Sequence, residues 1–423
     1  AVTFGQDRYV RALVARSSAL SGGDLLYALE AAHNDGPWEN PEKFHRLNGV
    51  LRYSFGGEAS RSSLTAMGYS AGWHSTDQLP ERAVDAGRVG RFGALDPTDG
   101  GRTERYSLSF QTERRFDDGE FRLNAYAVRS KLNLFSNFTF FLEHPIDLDP
   151  TEINGDQFEQ AEKRKVYGLA TSRSWNLKVA GVDTVNTLGL QVRHDRLDPV
   201  GLYATVARQR AATTQESEVR ETSVGVYAEN ATRWLPWFRS VTGIRGDRFD
   251  SKVASSIPEN SGKTHASLGS PKLSLIFGPW ARTEYFANYG YGFHSNDARG
   301  TTATLAAKPD PDTGIRPAVD PAVPLVRSKG GELGVRTEIV PGLQSSLALW
   351  QLRLGSELVF VGDAGETEAS RASRRRGIEW NNRYRATPWL LLDADFAISR
   401  ARFTGPDPDG AGNHIPGSIE KVA

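Results

Sequence analysis

The chain has 423 residues, 39% hydrophobic, 24% charged and 10% aromatic, with 51 Lys plus Arg balanced by 51 Asp plus Glu and no cysteine. Zero formal charge removes the electrostatic footprint of a nucleic-acid binder, and the lack of cysteine removes disulfide frameworks and thiolate chemistry. No stretch approaches the roughly 18 to 20 apolar residues of a membrane helix, yet a membrane β-barrel needs only alternate apolar residues, so this composition does not exclude one.

From the N-terminus onward, short turns alternate with long polar connections. Segments 9–20 and 25–32 flank Ser21-Gly22-Gly23-Asp24, and 44–55 and 60–73 flank Gly56-Gly57-Glu58. Segments 106–115 and 120–141 meet at Phe116-Asp117-Asp118-Gly119, the strongest hairpin signal in the chain. Then come 165–175 with 182–197, 222–232 with 237–249 around Trp234-Leu235-Pro236, and 270–277 with 282–293 around Gly278-Pro279-Trp280. Between these pairs the sequence predicts loops at 33–43, 74–101, 142–160, 198–218, 250–269 and, longest, 295–324. The unit 332–360 turns at Pro341-Gly342, 374–386 and 389–403 turn at Thr387-Pro388, and 415–423 begins one more strand. The pattern is an all-β antiparallel meander of about sixteen or seventeen strands, most of them long enough to cross a bilayer on a tilt.

A period of two separates an apolar face from a charged one. Leu392, Ala394, Phe396 and Ile398 oppose Asp393 and Asp395; Leu273, Leu275 and Phe277 oppose Lys272 and Ser274; Tyr285, Ala287, Tyr289 and Tyr291 oppose Glu284, Asn288 and His294. Leu333 and Val335 oppose Glu332 and Arg336, and Ile378 and Trp380 oppose Glu379 and Asn381. In 343–360 the same reading puts Ala348, Trp350, Leu352 and Leu354 on the apolar face and Gln351, Arg353 and Glu357 on the charged one. Ionised side chains on an inward face are intolerable in a small packed barrel and acceptable in a wide, watered or plugged one. Four of nine tryptophans, Trp234, Trp237, Trp280 and Trp389, sit at short turns, as an aromatic girdle at one membrane interface requires.

The runs SVGVYAENATRWLPWFRSVTGIRGDRFD (223–250), SPKLSLIFGPWARTEYFANYGYGFHSND (270–297), SKGGELGVRTEIVPGLQSSLALWQLRLGSELVFVGDAG (328–365) and SRRRGIEWNNRYRATPWLLLDADF (373–396), with a closing IPGSIE (415–420), resemble in order and spacing the barrel of TonB-dependent outer-membrane receptors. The resemblance implies a transmembrane barrel of twenty-two strands in the outer membrane of a Gram-negative bacterium. It also implies an N-terminal plug domain inside the barrel and uptake of a scarce nutrient, most commonly an iron-siderophore complex, driven by the TonB-ExbB-ExbD motor. On this reading residues 1–423 are a barrel fragment, expected to lack the plug, the motor-contact box, a signal peptide and about five last strands.

No catalytic constellation accompanies the pattern. The eight histidines, His33, His74, His144, His194 and His294 among them, show no H-E-x-x-H or paired spacing, so neither a protein metal site, a cofactor nor an enzyme is expected. Gly290 and Gly292 in YGYGF precede no helix and read as strand glycines. The candidates are therefore ligand contacts on long loops and the loop-side ends of strands: Trp73, His74 and Arg91; Phe138, with Phe140 and Phe141; His294, Asn296 and Arg299; and Arg353 and Glu357, taken to point inward. Aromatics with Arg and Asn suit an anionic metal chelate or a planar organic ligand. Glu332, Arg336, Glu379 and Asp395 are expected on the inner wall facing the plug. A passive porin-like channel and a soluble glycan-binding β-protein are the alternatives, and a lipid-embedded monomer is the default. Pro341-Gly342 is expected on the periplasmic side, so Glu357 and Phe360 should lie toward the exterior.

Overall fold

The computed structural model describes residues 1–144, 155–310, 312–361, 366–369, 371–407, 410 and 412–422, without side-chain detail for 358–361 and 366–369. Alternation produces strands wherever the sequence sustains it: β1 (Val2–Phe4), β2 (Val10–Leu20), β3 (Gly23–Asn34), β4 (Phe44–Gly56), β5 (Ser60–His74), β6 (Gly100–Phe116) and β7 (Gly119–Ser136). They continue as β8 (Phe158–Val179), β9 (Val182–Val206), β10 (Gln209–Leu235), β11 (Phe238–Ser255), β12 (Gly262–Trp280), β13 (Thr283–Ser295), β14 (Leu325–Thr337) and β15 (Leu343–Leu354). A separate small hairpin, β16 (Leu358–Val361) with β17 (Glu366–Ala369), rises from the connection to β18 (Ser373–Arg385), β19 (Leu391–Phe403) and a short β20 (Lys421–Val422). Each strand pairs antiparallel with the next, and β15 pairs with β18, giving one sheet of 18 strands. Helix is confined to α1 (Glu81–Asp85) and one 3-10 turn at Pro258–Asn260 among the described residues.

Turn chemistry explains the hairpins, including one the sequence hides. Two-residue turns whose central residues both have positive φ match the twist of paired strands, and Ser21-Gly22 and Ala180-Gly181 adopt that form. So do Ala207-Arg208, at 48° and 67°, although neither is a glycine. The loop expected at 198–218 is therefore a correction: β9 and β10 run 25 and 27 residues and meet at Ala207-Arg208. Asp198 and Pro199 are absorbed in a bulge where Leu197 and Val200 pair with Val219 and Ser217, the position in which a sheet tolerates proline. The loop expected at 250–269 likewise shrinks, because β12 begins at Gly262 rather than 270.

Register fixes the two faces. Leu275, Ala287, Leu333, Leu349, Ile378 and Ile398 share one face through the pairs 275–287, 287–333, 333–349, 349–378 and 378–398. The other face is bridged by charges: Arg11 and Arg46 hold Glu30, Lys272 reaches Glu229 at 2.5 Å across Gly243, and Arg239 and Arg336 hold Glu284 at 2.7 and 2.6 Å. A barrel wall with an aliphatic outside and a polar inside has this division. One phase assignment is overturned. Trp350 pairs with Glu332 and Gly377 on the inner face, whereas Gln351 and Arg353 share the outer face with Leu349. The alternation in β15 is apolar on both faces near its centre, so hydrophobicity alone gives the wrong phase.

The inner aromatics follow a rule of their own. Trp73, Tyr126, Tyr227, Phe286 and Trp350 each stand directly opposite a glycine, namely Gly101, Gly168, Gly189, Gly334 and Gly377. A Cβ placed on any of these glycines would collide with the ring beside it. Each ring therefore lies over its neighbouring strand, an arrangement that covers the bare glycine backbone.

Candidate functional site

Apart from the Ala207-Arg208 turn, which stands among the long connections, the short turns lie at the opposite end of the wall from the long connections, and the candidate contacts gather at the long-loop end. Trp234, Trp237, Trp280 and Trp389 belong to the other end, together with Pro341-Gly342; there Trp237 stacks on Trp280 at 6.0 Å and the Trp234 indole donates to Ser240 Oγ at 2.8 Å.

At the rim, three connections meet on one buried amide. Gln157 Nε2 donates to Thr98 Oγ1 at 2.7 Å and to Asp96 and Asp99 at 3.1 Å, while its Oε1 accepts from Thr205 Oγ1 at 3.0 Å and the Arg208 backbone N–H at 2.8 Å. Arg208 donates to the carbonyls of Thr98, Asp99 and Trp73 and lies 3.3 Å from His74 Nδ1. The connections before β6 and β8 are thus pinned to the β9–β10 turn. Burial pushes the Asp99 carboxyl up to about 8, helped by its hydrogen bond with Asp77 and the charge of Asp96; a protonated carboxyl can donate where a carboxylate cannot. Trp73 and His74 end strand β5 rather than sitting in a loop, and Arg91 is exposed farther along the connection that follows. Phe138 lies past the end of β7, edge-on to Phe158 at 5.6 Å, and Phe141 beyond it is exposed.

A second cluster seats the longest loop. Arg299 clamps Asp297 through Nε at 3.0 Å and Nη2 at 2.7 Å, and Ala298 packs with Leu197, Val200, Val219 and Val253 of β9, β10 and β11. Burial pushes the Asp297 carboxyl up, but the Arg299 hydrogen bonds and charge outweigh it and hold the group below its ordinary value. Asn296 is buried and closes the loop base by donating to Val323 O at 2.7 Å. Below, the inner wall carries intrastrand ion pairs, Arg193 with Asp195 at 2.6 Å and Arg245 with Asp247 at 2.7 Å. These were legible as a repeated Arg-x-Asp at 193–198 and 245–250, which puts both charges on one face of a strand.

The third cluster follows β15. Glu357 is 6% exposed and receives Arg375 Nη2 at 2.8 Å and the Ser373 hydroxyl, and His294 Nε2 lies 3.2 Å from Ser356 O. Glu357 thus lies on the inner side as expected, but Arg353 does not: it is exposed on the outer face opposite Lys329 and Arg374. Phe360 has its backbone in β16, and its side chain lies outside the described residues. Deeper, Glu332 accepts from Asn288 at 3.2 Å and Arg336 is held by Glu284. Glu379 and Asp395 are exposed on the inner face with no ion-pair partner among the described residues. Asp395 borders an inner concavity of about 540 Å³ shared with Arg383, Asp393 and Arg336.

Chemically, the rim offers fixed donors, paired charges and exposed rings. Among the described residues no group of three or more His, Cys, Asp or Glu side chains could hold a metal ion, and no helix is long and apolar enough to cross a membrane, which leaves strand crossing untouched. Sequence reasoning missed Gln157, Asp99, Arg208 and Arg375, whose roles depend on partners brought together from distant connections.

The wall matches solved structures in fold. The unliganded ferric citrate transporter FecA superposes with a TM-score of 0.75 at 14% identity, covering 98% of this chain and 60% of that one. The ferric preacinetobactin receptor BauA from Acinetobacter baumannii gives 0.74 at 12%, covering 99% and 64%, and the copper transporter OprC 0.68 at 14%, covering 95% and 60%. The chain spans about three-fifths of the length of these proteins. A comparison with curated protein sequences gave no match. The family model for the TonB dependent receptor-like beta-barrel matches residues 36–421, and the chain belongs to that family.

Proposed function

We propose that the chain forms the barrel wall of an outer-membrane receptor that binds a scarce nutrient, foremost an iron-siderophore complex, at its long-loop end and imports it with energy from the TonB-ExbB-ExbD motor. One observation carries the reading: the inner face is lined from rim to turns by paired charges and amides, while the middle band of the outer face over the same strands is aliphatic and aromatic. Such a wall encloses polar contents in an apolar surrounding. The division of roles at the rim refines the ligand contacts. Asn296, Arg299 and Glu357 act as positioning residues, because their polar groups hold the loops; Arg91, Phe138 and Phe141 are exposed there and supply a cation and rings for an anionic chelate.

A plug domain inside the barrel is part of the same reading. Glu379 and Asp395, which have no ion-pair partner among the described residues, and Glu332, held by the Asn288 amide, are the groups it would meet; Arg336 is satisfied by Glu284 and contributes position. The neighbouring structures, named for ferric citrate, ferric preacinetobactin and copper, support metal uptake as a class without selecting one chelate. Growth of a deletion strain on iron, copper, haem, cobalamin and glycan sources tests the substrate. The expected result is loss of growth of the deletion strain on ferric siderophores, with uptake by the parent strain stopped equally when the proton gradient is collapsed. A steady large conductance of the intact protein in planar bilayers would instead make it a passive channel.

A further inference from the structure

We infer that the wall carries a built-in joint, a seam between β12 and β13 that opens and closes in the folded barrel and is held by side chains instead of a backbone ladder. Pairing between these two strands stops at Lys272 and Gly290. Both strands run on: β12 reaches Gly262, still paired with β11, and β13 reaches Ser295, still paired with β14. Residues 291–295 therefore have no register partner on β12. Among the described residues, every other pair of neighbouring strands in the sheet stays in register to within a residue of where the first of the two ends. The seam also falls where strand length changes, from 18 to 27 residues in β7 to β12 to 12 or 13 in β13, β14, β15, β18 and β19.

Pro271 supplies the break. Its carbonyl is turned toward β13, 3.6 Å from where a Cβ on Gly290 would stand, so the N–H of an ordinary residue would lie on that side too, aimed at the Tyr291 carbonyl. Proline has no N–H to give. Two residues on, Gly269 gives its carbonyl to Arg327 Nη1 of β14 at 3.1 Å, and the same guanidinium covers the Tyr291 ring at 5.4 Å. Register turns Phe293 outward with Tyr291 and Phe249 inward with Asp247, yet their rings meet edge to face at 5.7 Å. An unbroken ladder would stand between them. Beside the break, Ser270 is 8% exposed and its hydroxyl has no hydrogen-bond partner among the described residues, where a settled sheet satisfies such groups. Contacts of exposed side chains open more readily than a ladder. Above the seam the longest loop acts as a strap: it leaves β13, seats Ala298 against β9, β10 and β11, and bonds Thr302 Oγ1 to Asn260 O at 2.8 Å. Opening swings β13 away from β12 as far as this strap allows, so the mouth and the seat of the loop move together.

The test is hydrogen exchange and spin-label distance measurement on the intact, detergent-purified protein. Residues 291–295 should exchange at least tenfold faster than 285–289 of the same strand. P271V, which restores the missing donor, should slow 291–295 at least tenfold, and R327Q, which removes the outer latch, should speed it by a similar factor. The chain has no cysteine, so labels at S267C/S295C report the seam alone. That pair should give a broad distribution with a long component, which P271V collapses to one short distance. A control across the intact β13–β14 ladder, S295C/L325C, should give one short distance in both backgrounds. A single short distance for S267C/S295C without P271V overturns the joint, and so does exchange at 291–295 that neither P271V nor R327Q alters. If P271V fails heat-modifiable gel migration and so has not folded, R327Q and the two label pairs decide the question by themselves.

Discussion

The two flanks of the wall are built to different heights. Strands β8, β9 and β10 have 22, 25 and 27 residues, while β13, β14, β15, β18 and β19 have 12 or 13. Since nine to eleven residues suffice to cross a bilayer on a tilt, the low flank is little more than a crossing and the tall flank carries a platform beyond it. On that platform sit the Gln157 knot and the apolar seat of Ala298. The low flank instead holds its connection through Glu357, Ser373 and Arg375. Extra strand length, with its ladder of hydrogen bonds, serves as scaffolding for loops that could not order themselves.

The largest effect is expected on the tall flank. Gln157→Leu removes every bond of a 3% exposed amide and leaves Asp96, Thr98 and Thr205 short of partners, so local opening should become easier by about 3 kcal/mol. Hydrogen exchange at 96–99 and 205–208 should accelerate while the mid-wall strands keep their protection. If the whole barrel loosens equally, the platform is no separate unit. On the low flank, Glu357→Gln breaks a pair whose arginine is partly exposed, so the cost should be smaller, about 1 to 2 kcal/mol; exchange at 355–357 and 371–375 reads it.

A pH scan sharpens the contrast. A carboxyl whose folded value is raised holds its proton longer when folded, so its stabilisation is complete below the unfolded value near 3.8 and is lost as pH rises through about 8. Protection of the tall rim should thus fall by up to about a hundredfold beyond intrinsic exchange chemistry between pH 6 and 9, and Asp99→Asn should flatten that slope. The low rim, which shares no hydrogen-bond partner with Asp99 among the described residues, is the reference against which that slope is read. At the small end, Lys178→Ala breaks an exposed 3.8 Å pair with Asp183 near a short turn, and melting should not change measurably.

Much of this was legible in the sequence because strand alternation and glycine-bearing turns are local signals. The height of the tall flank was not, since Ala207-Arg208 carries no turn residue and Pro199 reads as a loop until its bulge is seen. The phase of β15 failed for a related reason: Trp350 and Leu352 are apolar and inward, and only their cross-strand partners, Glu332 with Gly377 and Gly330 with Arg375, reveal it. At the rim, Arg299 and Asp297 are neighbours in sequence, whereas Gln157 and Arg208 take partners up to 61 and 135 residues away. No local pattern announces such a meeting.

The aromatics laid over glycines have a consequence for traffic. A tryptophan or tyrosine projecting from the wall would narrow the passage, but a ring lying flat on Gly189 or Gly377 keeps the inner surface even. Enlarging Gly189, where an added Cβ would meet the Tyr227 ring first, would tip that ring into the passage without breaking the hydrogen-bonded ladder. Such a barrel would remain folded and yet fit its contents badly, a fault of clearance rather than of stability.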